Sequence, residues 1–145
     1  MPEFDQERIV RLVSELRGSV GRLKELGLLP QGTFIKDPDK IGSAKYHFIV
    51  AIEACIDMCN HVIARNGYRV PEDYKDTFMV MAEVGALDAG FADSLGKMAK
   101  FRNRLVHLYW EVDDRTVHDI IQTRLDDFKK LLDALSVFLG WGKPG

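Results

Sequence analysis

Residues 41–65 read IGSAKYHFIVAIEACIDMCNHVIAR, and this stretch decides the fold. Phe48, Ile49, Ile52, Cys55, Ile56, Cys59, Val62 and Ile63 fall at helical spacing but cover more than one face. A helix so widely apolar has to be buried on at least two sides. Asp37-Pro38 supplies an N-cap followed by proline at the first helical position, and Asn66-Gly67 supplies the stop. Upstream, residues 28–36 read as a loop. Before them Ile9, Leu12, Val13, Leu16, Val20 and Leu23 form one amphipathic stripe, with Gly27 expected as a left-handed terminator.

Downstream, a shorter helical stretch is expected to begin at Pro71, with Tyr74, Phe78 and Met81 in phase and an end near Gly85. Asp88 is placed to cap a helix that carries Phe91, Leu95, Met98 and Leu105 on one stripe. Asp113 is placed to cap the last helix, through Val117, Ile121, Phe128, Leu131, Leu135 and Phe138. Sustained alternation and hairpin turn pairs are missing from the sequence. The expected architecture is all-α, an up-and-down bundle of four long helices and one short one, in one domain over residues 1–145.

Composition narrows the function classes. The chain has 145 residues, 46% of them hydrophobic, and a net charge of −2, so it is neither a polycation nor a disordered tail. No run approaches the ~18 consecutive apolar residues of a membrane span. The charged residues 1–11 lack the apolar core of a signal peptide. Two cysteines make no disulfide scaffold, and a cytoplasmic setting without membrane attachment is expected. Cys55 and Cys59 read as core residues, with no ligand set completed nearby, so neither metal nor cofactor is expected. His47 and His118 belong to no motif and read as surface or satisfied residues. Trp110 and Trp141 read as closing the bundle or an interface.

Two places put polar residues where the pattern asks for apolar ones. Glu53, Asp57, Asn60 and His61 form a seam along the second helix. On the fourth, Arg102 shares the stripe of Leu95, Met98 and Leu105. A cation there needs an acidic partner, with Glu53 or Asp57 as candidates, or an anionic ligand, because a buried unpaired charge is costly. Beside this stripe Lys97, Lys100, Arg104 and His107 give the helix a basic flank suited to phosphates, or simply a solvated face.

Arg102 and His107 are five residues apart, about 140° around a regular helix. A joint role therefore needs a helix end near His107 or a second copy across a symmetric interface. Their chemistry suits RNA cleavage by its own 2′-hydroxyl. Imidazole moves protons near neutrality, and guanidinium stays charged and can hold two phosphate oxygens. The spacing alone is unspecific, since ten arginines and four histidines give about 0.3 chance occurrences.

The surrounding run, Arg102-Asn103-Arg104-Leu105-Val106-His107-Leu108-Tyr109, fits the pattern R-N-x-L-x-H-x-Y and resembles the HepT-like toxins of the HEPN superfamily of ribonucleases. The resemblance extends over residues 51–61, over Pro71-Glu72-Asp73-Tyr74 with Phe78, and over Glu83-Val84-Gly85. It implies a metal-independent endoribonuclease, the toxin of a prokaryotic toxin–antitoxin pair, acting on RNA as a homodimer that joins two motifs in one cleft. The widely apolar second helix is compatible with such a dimer. Arg102 and His107 match the family's catalytic pair, and Asn103 matches a supporting polar residue. The implied partner is a minimal nucleotidyltransferase antitoxin that transfers AMP to Tyr109, an anionic adduct that would repel RNA phosphates. The alternative is a catalytically silent HEPN-type module that binds a nucleotidyltransferase partner or nucleotide. In an unbroken helix His107 and Tyr109 would point about 200° apart. The helix is therefore expected to end between His107 and Trp110, with extended backbone returning alternate side chains to one side.

Overall fold

The computed structural model describes residues 1–141. Seven helices follow one another among them: α1 (Gln6–Leu26), α2 (Gln31–Phe34), α3 (Pro38–Arg65), α4 (Tyr74–Glu83), α5 (Ala89–His107), α6 (Asp114–Arg124) and α7 (Asp126–Phe138). A 3₁₀ turn, Tyr109–Glu111, separates α5 from α6, and the described residues contain no strand. The starts are set chemically. Asp5, Asp37, Asp73, Asp88 and Asp113 each accept a backbone N–H of the first turn of their helix.

The widely apolar α3 is the central element. It packs against α1 on one side and against α4 and α5 on another, with further contacts to α6 and α7. Phe48, Ala51, Ile52, Ile56, Met58, Cys59 and Val62 are almost wholly removed from solvent. By length and hydropathy α3 could cross a membrane. Thirteen of its residues are instead buried within this chain, while Tyr46 is exposed and Ile49 and Val50 are half-buried.

Four local expectations are corrected. Gly27 ends α1 with φ −67°, not in the left-handed region. A Cβ there would lie 2.7 Å from Ile121 Cγ2, so close approach of α6 requires the glycine. The segment 28–36 contains the single turn α2, which buries Phe34 against His118. Pro71 lies outside α4, whose cap is Asp73. The last periodic stretch divides at Leu125 into α6 and α7. Leu125 keeps helical dihedrals (φ −64°, ψ −27°), so the division is a slip in hydrogen bonding, with the Phe128 N–H donating to the Leu125 carbonyl at 3.2 Å. The long helices and one short helix expected from periodicity are α1, α3, α5, the α6–α7 pair, and α4. Gly67 (φ +64°) and Gly85 (φ +87°) do adopt the left-handed region where α3 and α4 stop.

Candidate active site at the end of α5

The core face of α5 ends at Leu105, which is fully buried; Val106, His107, Leu108, Tyr109 and Trp110 are all exposed. The helix stops at His107. Leu108 takes φ −132°, ψ 42°, while its N–H still reaches the Arg104 carbonyl at 2.8 Å. Tyr109–Glu111 then forms the 3₁₀ turn, and buried Val112 returns the chain to the core. The break falls where expected, but the backbone after it is a tight turn, not an extended run.

Neither glycine nor proline causes this break. Lys45 of α3 holds the turn from below. Its side chain is only 5% exposed, and its ammonium donates to the Tyr109 carbonyl at 3.3 Å, pairs with Asp114 at 3.4 Å and lies 4.1 Å from the centre of the Tyr109 ring. These contacts satisfy a buried cation. Lys45 was missed in the sequence, although it interrupts an apolar stripe (Ile41, Phe48, Ile49) just as Arg102 does.

Arg102 finds its acid in Glu53, not Asp57. Glu53 Oε1 accepts from Arg102 Nη2 at 2.6 Å and from Nε at 3.0 Å, while Asn103 Oδ1 accepts from Nη1 at 3.1 Å. The guanidinium carbon also stands 5.0 Å from the centre of the Tyr74 ring. Of the five guanidinium N–H groups, two remain without a partner among the described residues and can bind an anion. Asp57 stays exposed, and partial desolvation, followed by the neighbouring Glu53 charge, raises its carboxyl pKa above the ordinary value.

The rest of the polar seam is used locally. Asn60 accepts from Thr77, and His61 Nε2 accepts the Asp5 N–H at 2.8 Å. His47 bonds Ser19, and buried His118 bonds the Leu29 carbonyl. Cys55 and Cys59 are buried, and burial pushes the Cys59 thiol up to about 12. Trp141 packs on Phe4 and closes the bundle, whereas Trp110 is exposed. On the basic flank Lys97 faces Asp93 at 3.8 Å across an exposed pair, and Arg104 reaches the Glu111 carbonyl.

The structure thus brings Arg102, Asn103, Glu53 and Tyr74 together, and separately Tyr109 with Lys45. His107 stands exposed at the end of α5, and its imidazole makes no hydrogen bond to any described residue. Residues 16–135 match the family described as Ribonuclease HepT-like. The chain belongs to the HepT-like ribonuclease family. It is 32% identical over 83 residues to the mRNA nuclease HepT of Shewanella oneidensis, a match covering 57% of this chain and 62% of that protein. It is 30% identical over 98 residues to a candidate RNase of Archaeoglobus fulgidus, covering 68% of this chain and 70% of that one. Its backbone is similar to that of a tri-AMPylated Shewanella oneidensis HEPN toxin in complex with an MNT antitoxin. The TM-score is 0.83 and the identity 25%, over 90% of this chain and 97% of the other. The R-N-x-L-x-H-x-Y run, residues 102–109, lies inside the region that matches the HepT-like family.

Proposed function

We propose that this single-domain chain is a cytoplasmic, metal-independent endoribonuclease, the toxin of a toxin–antitoxin pair, in which Arg102 and His107 are the catalytic residues. The observation that carries the reading is the fixed guanidinium of Arg102, with two N–H groups to spare, on the same helix as a freely accessible imidazole. The substrate is RNA. Its 2′-oxygen loses a proton and bonds to phosphorus while the 5′-oxygen leaves with a proton, giving a 2′,3′-cyclic phosphate and a 5′-hydroxyl. His107 takes one proton and the equivalent histidine of a second copy gives the other, so a homodimer supplies both base and acid. Arg102 holds the non-bridging oxygens as charge grows on them, and Asn103 fixes the guanidinium orientation.

The partner is a nucleotidyltransferase antitoxin. The Tyr109 oxygen attacks the α-phosphorus of ATP, pyrophosphate leaves, and the attached AMP places negative charge beside the RNA path. Tyr109 suits this role because the residue is 44% exposed while its backbone is tied to Lys45. The second reading, a silent module, draws on the three Arg102 N–H groups spent inside the chain. Expression of the chain without its antitoxin separates the two. Wild type should arrest growth and fragment RNA, while Arg102→Ala and His107→Ala should do neither. Equal RNA fragmentation by wild type and His107→Ala would remove the catalytic assignment.

A further inference from the structure

Between the C-terminal end of α3 and the start of α4 lies an open cavity of about 510 Å³, walled by Asn60, Ala64, Tyr68, Val70, Tyr74 and Thr77 among others. One wall is shared with the proposed site, because Tyr74 is also the ring that stands 5.0 Å from the Arg102 guanidinium. We infer that this cavity is a nucleobase subsite, receiving the base of a nucleotide next to the phosphate held by Arg102; the inference rests on the ribonuclease reading above.

The lining fits a base better than a phosphate. Two aromatic rings, Tyr68 and Tyr74, stand in a mainly apolar wall, and base–aromatic stacking needs no particular sequence. One polar group offers discrimination. Thr77 Oγ1 lies 3.0 Å from Asn60 Oδ1 and 3.3 Å from the Asp73 carbonyl, and donating its one proton over the shorter contact leaves the Asn60 amide NH₂ without a partner among the described residues and free to donate to a base edge. Glu72 and Asp73 at the rim disfavour an anionic group, so the sugar–phosphate chain stays on the Arg102 side and the uncharged base turns inward. Asn60 thereby acquires a use that the helix itself does not require.

Two substitutions away from Arg102 and His107 test this. Ala64→Leu adds bulk without an aromatic ring from an exposed helical position, and Asn60→Ala removes the donor. Cleavage of a mixed-sequence RNA oligonucleotide pool is measured, with the cut ends sequenced. Ala64→Leu should raise KM at least about fivefold. Asn60→Ala should flatten the base preference at one position beside the cut, and in both proteins the loss should fall on KM rather than kcat. Wild-type KM and wild-type preference in both variants would overturn the subsite and leave the ribonuclease reading standing. Failure of the wild-type protein to cut the pool at all would overturn that reading, and the subsite with it.

Discussion

Glu53 Oε1 receives both Nε and Nη2 of Arg102, at 3.0 and 2.6 Å, and so ties α5 to α3 across 49 residues of sequence. The pair is asymmetric, with the Arg102 side chain 13% exposed and that of Glu53 40% exposed. Truncating the acid strands a cation in a mostly buried place. Glu53→Ala should lower stability by about 1.5–3 kcal/mol, read by chemical denaturation. RNA cleavage should fall roughly 100-fold as the guanidinium loses its position. Glu53→Gln, which keeps an acceptor at the same reach, should recover most of the activity.

Lys45 is expected to control the turn and not the bundle. Lys45→Met keeps the side-chain volume and removes the hydrogen bond to the Tyr109 carbonyl. The Glu111 N–H, which donates to the Leu108 carbonyl at 2.8 Å, should then exchange with solvent at least about tenfold faster. Exchange within α3 should stay unchanged. Equal protection of Glu111 in both proteins would show that the turn holds without Lys45.

Glycines at three places should respond in opposite directions. Gly18 lies within α1 with open space around its Cα, so Gly18→Ala should stabilise by about 0.5–1 kcal/mol. Gly27→Ala meets Ile121 Cγ2 and should destabilise by about 1–3 kcal/mol. Combining Gly27→Ala with Ile121→Ala should recover part of that loss, visible as coupling in a double-mutant cycle. Gly67→Ala, at φ +64°, should cost about 1 kcal/mol from backbone strain.

His61 should make the start of α1 sensitive to acid. Burial, followed by the Arg8 and Arg65 charges, lowers its pKa from 6.5, and its neutral Nε2 accepts the Asp5 N–H. A depressed histidine contributes stability fully above the unfolded value. That contribution is lost as pH falls from 6.5 to the lower folded value. Protection of the Asp5 amide should therefore decline on acidification below about pH 6.5. In His61→Gln the decline should be absent, and an unaltered pH profile in that variant would assign it to another group.

The helices were legible because a 3.6-residue period and aspartate caps are local signals, and Asp37, Asp88 and Asp113 cap as their sequence positions imply. The misreadings concern choices made by distant residues. Gly27 looks identical whether it serves a positive φ or a close neighbour, and only Ile121, far along the chain, decides between them. Pro71 looked like a helix start, but Asp73 makes the capping bond and leaves the proline outside. For the site, Arg102 and Glu53 were visible as two breaks in apolar stripes. Lys45 broke a stripe in the same way and passed unnoticed, because its partners, the Tyr109 carbonyl and Asp114, belong to a turn that no local pattern announces. The route taken by the chain after His107 depended on those same contacts.

The stop at His107 has a further consequence. Arg102 and His107 ride on a rigid rod, whereas Tyr109 rides on a separate small bracket clamped to the central helix by Lys45. On the proposed reading, a bulky adduct on the bracket would leave the rod and its packing intact. The silenced protein would then be as durable as the armed one. A cell could stockpile it without feeding it to quality-control proteases, and hydrolysis of a single ester would return a weapon that needs no refolding.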